Sequence, residues 1–155
     1  FNYLDLIIIS LIFYTFVVIF FIDIKHFIIP DSLNFSLICL GILKNFFPET
    51  SLNLNQDMFQ SLFGGALGYF TIWLIITLYK KIKNVEAMGF GDAKLLAGIG
   101  FILGFQSIFI TLFIAAILGL IFSVPNLINR KSSLKTAIPF GPFLILASII
   151  YFFYF

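Results

Sequence analysis

Six apolar runs separated by short polar stretches, at positions 4–22, 33–47, 59–79, 93–105, 108–124 and 138–155, govern what this chain can fold into. Runs of this kind belong in hydrocarbon, where no water is present to satisfy backbone N–H and C=O groups. Short-looped helices satisfy those groups internally, and the alternating pattern of a membrane β-barrel is missing. The expected fold class is therefore all-α: a polytopic integral membrane protein of about six transmembrane helices in the lipid bilayer, forming one membrane-embedded domain over residues 1–155. Composition agrees, since 61% of the residues are hydrophobic and 10% charged, against an apolar share of about half in soluble domains. The first run lacks a basic leader and is longer than a signal-peptide core, so it reads as a retained helix. The chain opens on Phe1 rather than Met, which leaves open what precedes it.

The Lys/Arg bias of the loops sets an expected orientation. Counting sides alternately, Lys25, Lys80, Lys81, Lys83, Lys94, Arg130, Lys131 and Lys135 fall on one side; Lys44 alone falls on the other, with Asp5, Glu49 and Asp57. The basic side is the cytoplasmic one by this rule. Asp23, Asp31 and Asp92 then share it, with Glu86, while Asp5, Glu49 and Asp57 read as solvated outer-loop acids. A net charge of +2 is too small to imply a nucleic-acid partner. The single cysteine, Cys39, excludes an internal disulfide and a cysteine metal cluster, and the single histidine, His26, cannot build a His-rich site. No metal and no cofactor is expected.

Within this frame the carboxylates need explaining, because an ionisable group at the edge of hydrocarbon is costly without a partner or a function. Asp92 lies in Gly89-Phe90-Gly91-Asp92-Ala93-Lys94-Leu95, at the mouth of the fourth run. The glycines permit close backbone approach and unusual turns. The competing reading makes Asp92 a helix N-cap. That fourth run rises only about 20 Å as a helix, against a hydrocarbon core of about 30 Å. Asp92 is therefore expected in a wet dip below the membrane surface, although local thinning accounts for the length equally well. Asp23 follows the first run by one residue, in Asp23-Ile24-Lys25-His26-Phe27-Ile28-Ile29-Pro30-Asp31. Its plain alternative is an interfacial acid paired with Lys25 or His26. Pro30 ends any continuation of the first helix, and Asp31 is placed to cap the second. Lys94 is expected to reach the membrane interface or to bias the charge of Asp92.

Two carboxylates on separate helices at one membrane face can share a proton, one acting as base on a water while the other polarises a peptide carbonyl. That is aspartic-protease chemistry. Gly64 with Gly68, and Gly100 with Gly104, stand four apart and read as helix-packing faces. Asn34-Phe35-Ser36 matches a glycosylation sequon inside a membrane segment and carries no such role.

Asp23 with Ile29-Pro30-Asp31, the stretch 89–95, and Ile138-Pro139-Phe140-Gly141-Pro142-Phe143 together resemble the type IV prepilin peptidases, polytopic aspartic proteases with a Gly-x-Gly-Asp motif. The resemblance runs in order over most of the chain. It implies that Asp23 and Asp92 are the catalytic pair, with Gly89, Gly91, Lys94, Pro30 and Asp31 supporting the motif and substrate region. It also implies a prepilin or pseudopilin precursor as partner, cut at the cytoplasmic face of the inner membrane. Longer members carry an N-terminal region with paired cysteines and methylate the new terminus; nothing here matches that region, and methyltransferase activity is not expected. Presenilin-type relatives share Gly-x-Gly-Asp but carry a late Pro-Ala-Leu that this sequence lacks. The alternatives from other classes are a small carrier or proton-linked channel and an inactive prepilin-binding scaffold. A carrier should show interrupted helices in matching halves, which this sequence does not.

Overall fold

The structure, a computed structural model, describes residues 3–46, 58–83, 89–128 and 139–154. Glu49, Asp57, Glu86, Arg130, Lys131, Lys135 and Ile138 lie outside the described residues. Among the described residues six helices follow one another: α1 (Tyr3–His26), α2 (Asp31–Phe46), α3 (Met58–Lys83), α4 (Phe90–Leu103), α5 (Phe105–Ile128) and α6 (Gly141–Tyr154). No strand occurs among the described residues. Among the described residues three segments, Tyr3–His26, Met58–Ile82 and Phe105–Ser123, are long and apolar enough to cross a membrane. The chain is an all-helical, polytopic membrane protein.

Contacts along the helices fix their directions. Gly64 and Gly68 of α3 meet Gly100 and Leu96 of α4 in reverse order, so those two helices are antiparallel. Leu37, Gly41 and Lys44 of α2 meet Gly98, Phe101 and Ile102 of α4 in the same order, so those two are parallel. Asp23 and Phe13 of α1 meet Gly141 and Phe152 of α6, which is again antiparallel. The starts of α2, α4 and α6 and the end of α1 therefore gather at one end of the bundle.

The 14-residue α4 is the central helix. Leu95, Leu96, Ile99 and Ala93 are fully buried, and only its first residues reach the surface. A helix apolar all round is a buried one, and α4 need not span a bilayer alone because its neighbours enclose it. Its packing on α3 is close because side chains are missing there. A Cβ on Gly64 would stand 2.5 Å from the Gly100 carbonyl oxygen, and one on Gly68 2.5 Å from that of Leu96. The second expected packing glycine of α4 does something else. Gly104 takes a left-handed φ of 79° and donates its N–H to the Gly100 carbonyl at 2.8 Å, closing α4 one residue before α5 begins.

Two charged residues differ from the sequence expectation. Asp5 and Lys44, placed above in outer loops, are 0% and 5% exposed. Lys44 Nζ donates to the Ile102 carbonyl at 2.8 Å. Ile102 is in the last turn of α4, where carbonyls lack an intrahelical partner and a cation is favoured. The polar groups at this end are thus used inside the bundle.

Replacing Gly64 by Ala should lower the stability of the detergent-solubilised protein by about 1–3 kcal/mol, because the clash is with backbone. Gly119, whose added Cβ would meet only Phe143 Cδ2 at 3.7 Å, should tolerate Ala with a change within about 1 kcal/mol, in the stabilising direction given by helix propensity. Thermal unfolding of the two variants tests this; equal destabilisation would remove the α3–α4 contact as its cause.

Candidate active site

Asp23 occupies the last turn of α1, yet it is 4% exposed, while its neighbours Lys25 and His26 face outward and form no ion pair with it. The helix stops just beyond. Phe27 adopts a left-handed φ of 56°, and its N–H donates to the Asp23 carbonyl at 2.9 Å. Glycine normally takes this position at a helix end, so a phenylalanine there is strained. The turn redirects the chain so that Ile29, 8% exposed, enters the bundle. Its side chain lies between two glycines: an added Cβ on Gly91 would meet Ile29 Cβ at 3.1 Å, and one on Gly141 would meet Ile29 Cδ1 at 3.0 Å.

Pro30 then starts α2. Its carbonyl accepts the N–H groups of Leu33 and Asn34 at 3.1 and 3.3 Å, which makes Pro30 the residue flanking the helix and Asp31 the first residue inside it. The acid still sits favourably in the first turn. Its carboxylate, however, bonds Lys94 Nζ at 2.6 Å across to α4. Lys94 is thus neither directed freely into the interface nor joined to Asp92.

Asp92 is 7% exposed and lies in the first turn of α4, behind a helix flanked by Gly89. Asp92 N–H donates to the Gly89 carbonyl at 3.2 Å. Its carboxylate turns back toward the helix start, with Oδ2 3.9 Å from where a Gly89 Cβ would be, and the Gly89 backbone amide acts on it. A third-position acid reaching back to the flanking amide is the carboxylate half of a capping box. Among the described residues nothing else comes close to the Gly89 Cα, while the space beside Gly91 is taken by Ile29.

The two buried carboxylates come from α1 and α4 and act on each other electrostatically. Asp23 lies against the start of α6, whose Gly141 backbone amide acts on its carboxylate, although Asp23 Oδ2 itself completes no hydrogen bond among the described residues. No group of three His, Cys, Asp or Glu forms among the described residues. Two acids able to hold one proton between them, at the mouth of a bundle, can activate a water and polarise a carbonyl.

Three neighbours of this pair carry no role in the sequence reading: Ile29, Gly141 and Asn34. Asn34 is 2% exposed and extends Nδ2 toward the Gly91 carbonyl at 3.4 Å, a long contact, leaving Oδ1 without a partner among the described residues. A polar residue one turn after Asp31 inside an apolar run was the available signal.

A model of the type IV leader peptidase family matches residues 10–124. The chain is 35% identical over 126 residues to a prepilin leader peptidase/N-methyltransferase of Stutzerimonas stutzeri, an alignment covering 81% of the chain and 42% of that protein. The protein of the same description from Pseudomonas aeruginosa is 36% identical over the same shares. That from Dichelobacter nodosus is 36% identical over 141 residues, 91% of the chain and 46% of the relative. The chain therefore spans less than half the length of these curated relatives. No solved structure matches.

The Asp31–Lys94 bridge is solvent-facing, with side chains 73% and 40% exposed. Exposed pairs contribute about 0.2–1 kcal/mol. A double-mutant cycle of Asp31→Asn and Lys94→Met on thermal unfolding should return a coupling below about 1 kcal/mol; a larger value would mean the bridge holds α2 and α4 together.

Proposed function

The chain belongs to the type IV leader peptidase family, and from that premise we propose that it is an aspartic endopeptidase removing the leader from a prepilin or pseudopilin precursor, with Asp23 and Asp92 as the catalytic pair. The observation that carries this reading is the convergence of two buried carboxylates from separate helices at one end of the bundle. A carboxylate in hydrocarbon without a structural partner argues for function. Neither acid has another sufficient use. Asp23 does not pair with the cations beside it, and Asp92 needs no burial to serve a helix start.

In the proposed reaction the ionised member of the pair takes a proton from a water, whose oxygen attacks the scissile carbonyl carbon. The protonated member donates its proton to the carbonyl oxygen. The resulting tetrahedral adduct collapses as the C–N bond breaks: the proton taken from water passes to the leaving amine, and one hydroxyl of the adduct returns its proton to the other carboxylate, leaving a carboxylic acid. The pair ends with one proton, as it began. Gly89, open around its Cα among the described residues, is the position where an extended substrate strand can approach the backbone, whereas Gly91 accommodates Ile29. Pro30 starts α2, and Asp31 and Lys94 meet at the surface between α2 and α4.

The Lys/Arg bias supports an active site facing the cytoplasm from the inner membrane, where a leader preceding an apolar helix would be presented. All of this lies in one membrane-embedded peptidase domain. The names of the relatives join the peptidase to an N-methyltransferase; the reading assigned to this chain is the peptidase step, which the two carboxylates support, and not methyl transfer.

Asn keeps the shape of Asp but exchanges no proton at neutral pH. Asp23→Asn and Asp92→Asn should each lower kcat by about 10²–10⁴-fold, the usual worth of a general acid or base, with the protein still folded. Asp31→Asn should retain substantial activity. The pH profile should be bell-shaped, since either full protonation or full ionisation of the pair stops the reaction. Purified protein incubated with a prepilin-like peptide, with the cut located by mass spectrometry, tests each point. An inactive Asp31→Asn beside an active Asp23→Asn would move the assignment to Asp31, and loss of cleavage on chelation would replace the carboxylate pair by a metal.

A further inference from the structure

The Pro139-Phe140-Gly141-Pro142 stretch takes no part in the reaction above, yet it meets Asp23. A Cβ added to Gly141 would stand 2.5 Å from Asp23 Oδ2, 3.0 Å from Ile29 Cδ1 and 3.3 Å from Asp23 Cγ. These nearest atoms all belong to side chains. The contrast with α3 and α4 is direct, because at Gly64 and Gly68 the obstructing atoms are backbone and the glycine serves helix approach. At Gly141 the space left by the missing side chain is occupied by a carboxylate.

Among the described residues, the start of α6 also has one backbone donor to spare. The first N–H groups of a helix lack intrahelical acceptors. Phe143 and Leu144 give theirs to the Phe140 carbonyl, both at 3.1 Å, and Pro142 has none. The Gly141 amide remains, and it acts on Asp23. The partial positive charge of a helix N-terminus favours an anion there. Asp23 is 4% exposed and its Oδ2 completes no hydrogen bond among the described residues.

We propose that Gly141 is a positioning residue for the reaction: its bare Cα and its spare amide seat the Asp23 carboxylate against the start of α6, so that the sixth helix sets the orientation of the acid carried by the first. This rests on Asp23 being a reacting carboxylate. Pro142 belongs to the same device, since it starts the helix without adding a competing donor. A methyl group at Gly141 displaces the end of a side chain and no backbone, so the fold survives while the carboxylate is turned away.

The test is Gly141→Ala, compared with the parent and with Gly119→Ala, by thermal unfolding and by steady-state cleavage of a prepilin-like peptide. The expected result is an unfolding midpoint close to the parent, a fall in kcat of about 10²-fold or more as for a displaced acid or base, and KM within about threefold. Gly119→Ala should leave both constants unchanged. Parent-like kcat in folded Gly141→Ala overturns the proposal. If Gly141→Ala does not fold, Ile29→Val is added to remove Cδ1. A folded but inactive double variant upholds the proposal; a double variant with parental kcat, or one that still fails to fold, overturns it by showing that Gly141 serves packing. A second readout separates this from the peptidase reading. In protein carrying ¹³C-labelled aspartate, the Asp23 carboxyl signal, identified by its loss in Asp23→Asn, should titrate at least about one pH unit away from its parental midpoint in Gly141→Ala. If the parent cleaves nothing, the peptidase reading falls and that signal still decides the seating of Asp23: a moved midpoint upholds it, an unmoved one overturns it.

Discussion

Everything at the functional end of this bundle depends on where helix starts are placed. Carboxylates in an apolar interior are kept only where dipoles or donors face them, and here those are backbone amides at helix N-termini. Asp92 uses the start of its own helix, through Gly89. Asp23 stands at the end of α1, where the backbone offers carbonyls, and so draws on the start of α6. The even-numbered helices run in one direction, which brings three helix starts to one end of the bundle and opposes them to the end of α1. Without that arrangement neither acid would have company suited to its charge.

The central helix makes the arrangement rigid. With α4 enclosed, its position against α3 is set by backbone approach at Gly64, Gly68 and Gly100. Its far end is closed by Gly104 and by Lys44 on the Ile102 carbonyl. Its near end is held by Ile29 against Gly91, with the weak surface bridge from Asp31 to Lys94 beside it. The strained turn at Phe27 makes physical sense in this setting, since it is what sends Ile29 inward between the glycines of α4 and α6. One short loop thereby packs against both helix starts that attend the two acids.

Membrane helices of this kind associate without a hydrophobic driving force between them, so fit and polar contacts decide the packing. Asp5 and Lys44 illustrate the point. Loop counting places both in solvent, because each lies near the end of an apolar run. The bundle instead buries both, and Lys44 serves the C-terminus of α4. A charge near a run boundary is ambiguous in one dimension, since whether it faces water or an uncapped helix end depends on which helix is beside it.

What the sequence determined by itself was the class and the cast. Six apolar runs admit only helices in lipid, and four-residue glycine spacing marked helix-packing faces without saying which helices meet there. Asp23 and Asp92 stood out because a carboxylate at a run boundary is costly wherever it falls, and such a cost is visible without coordinates. Tertiary structure decided the rest. Asp31 has the pattern of a cap but pairs with Lys94, a residue on another helix; Gly104 breaks a helix where spacing alone suggested a packing face; Asn34 and Gly141 acquire meaning only from the atoms opposite them. Each of these depends on a contact between residues far apart in the chain, and the local pattern that marks a cap, a packing glycine or a sequon is the same whichever partner the fold supplies.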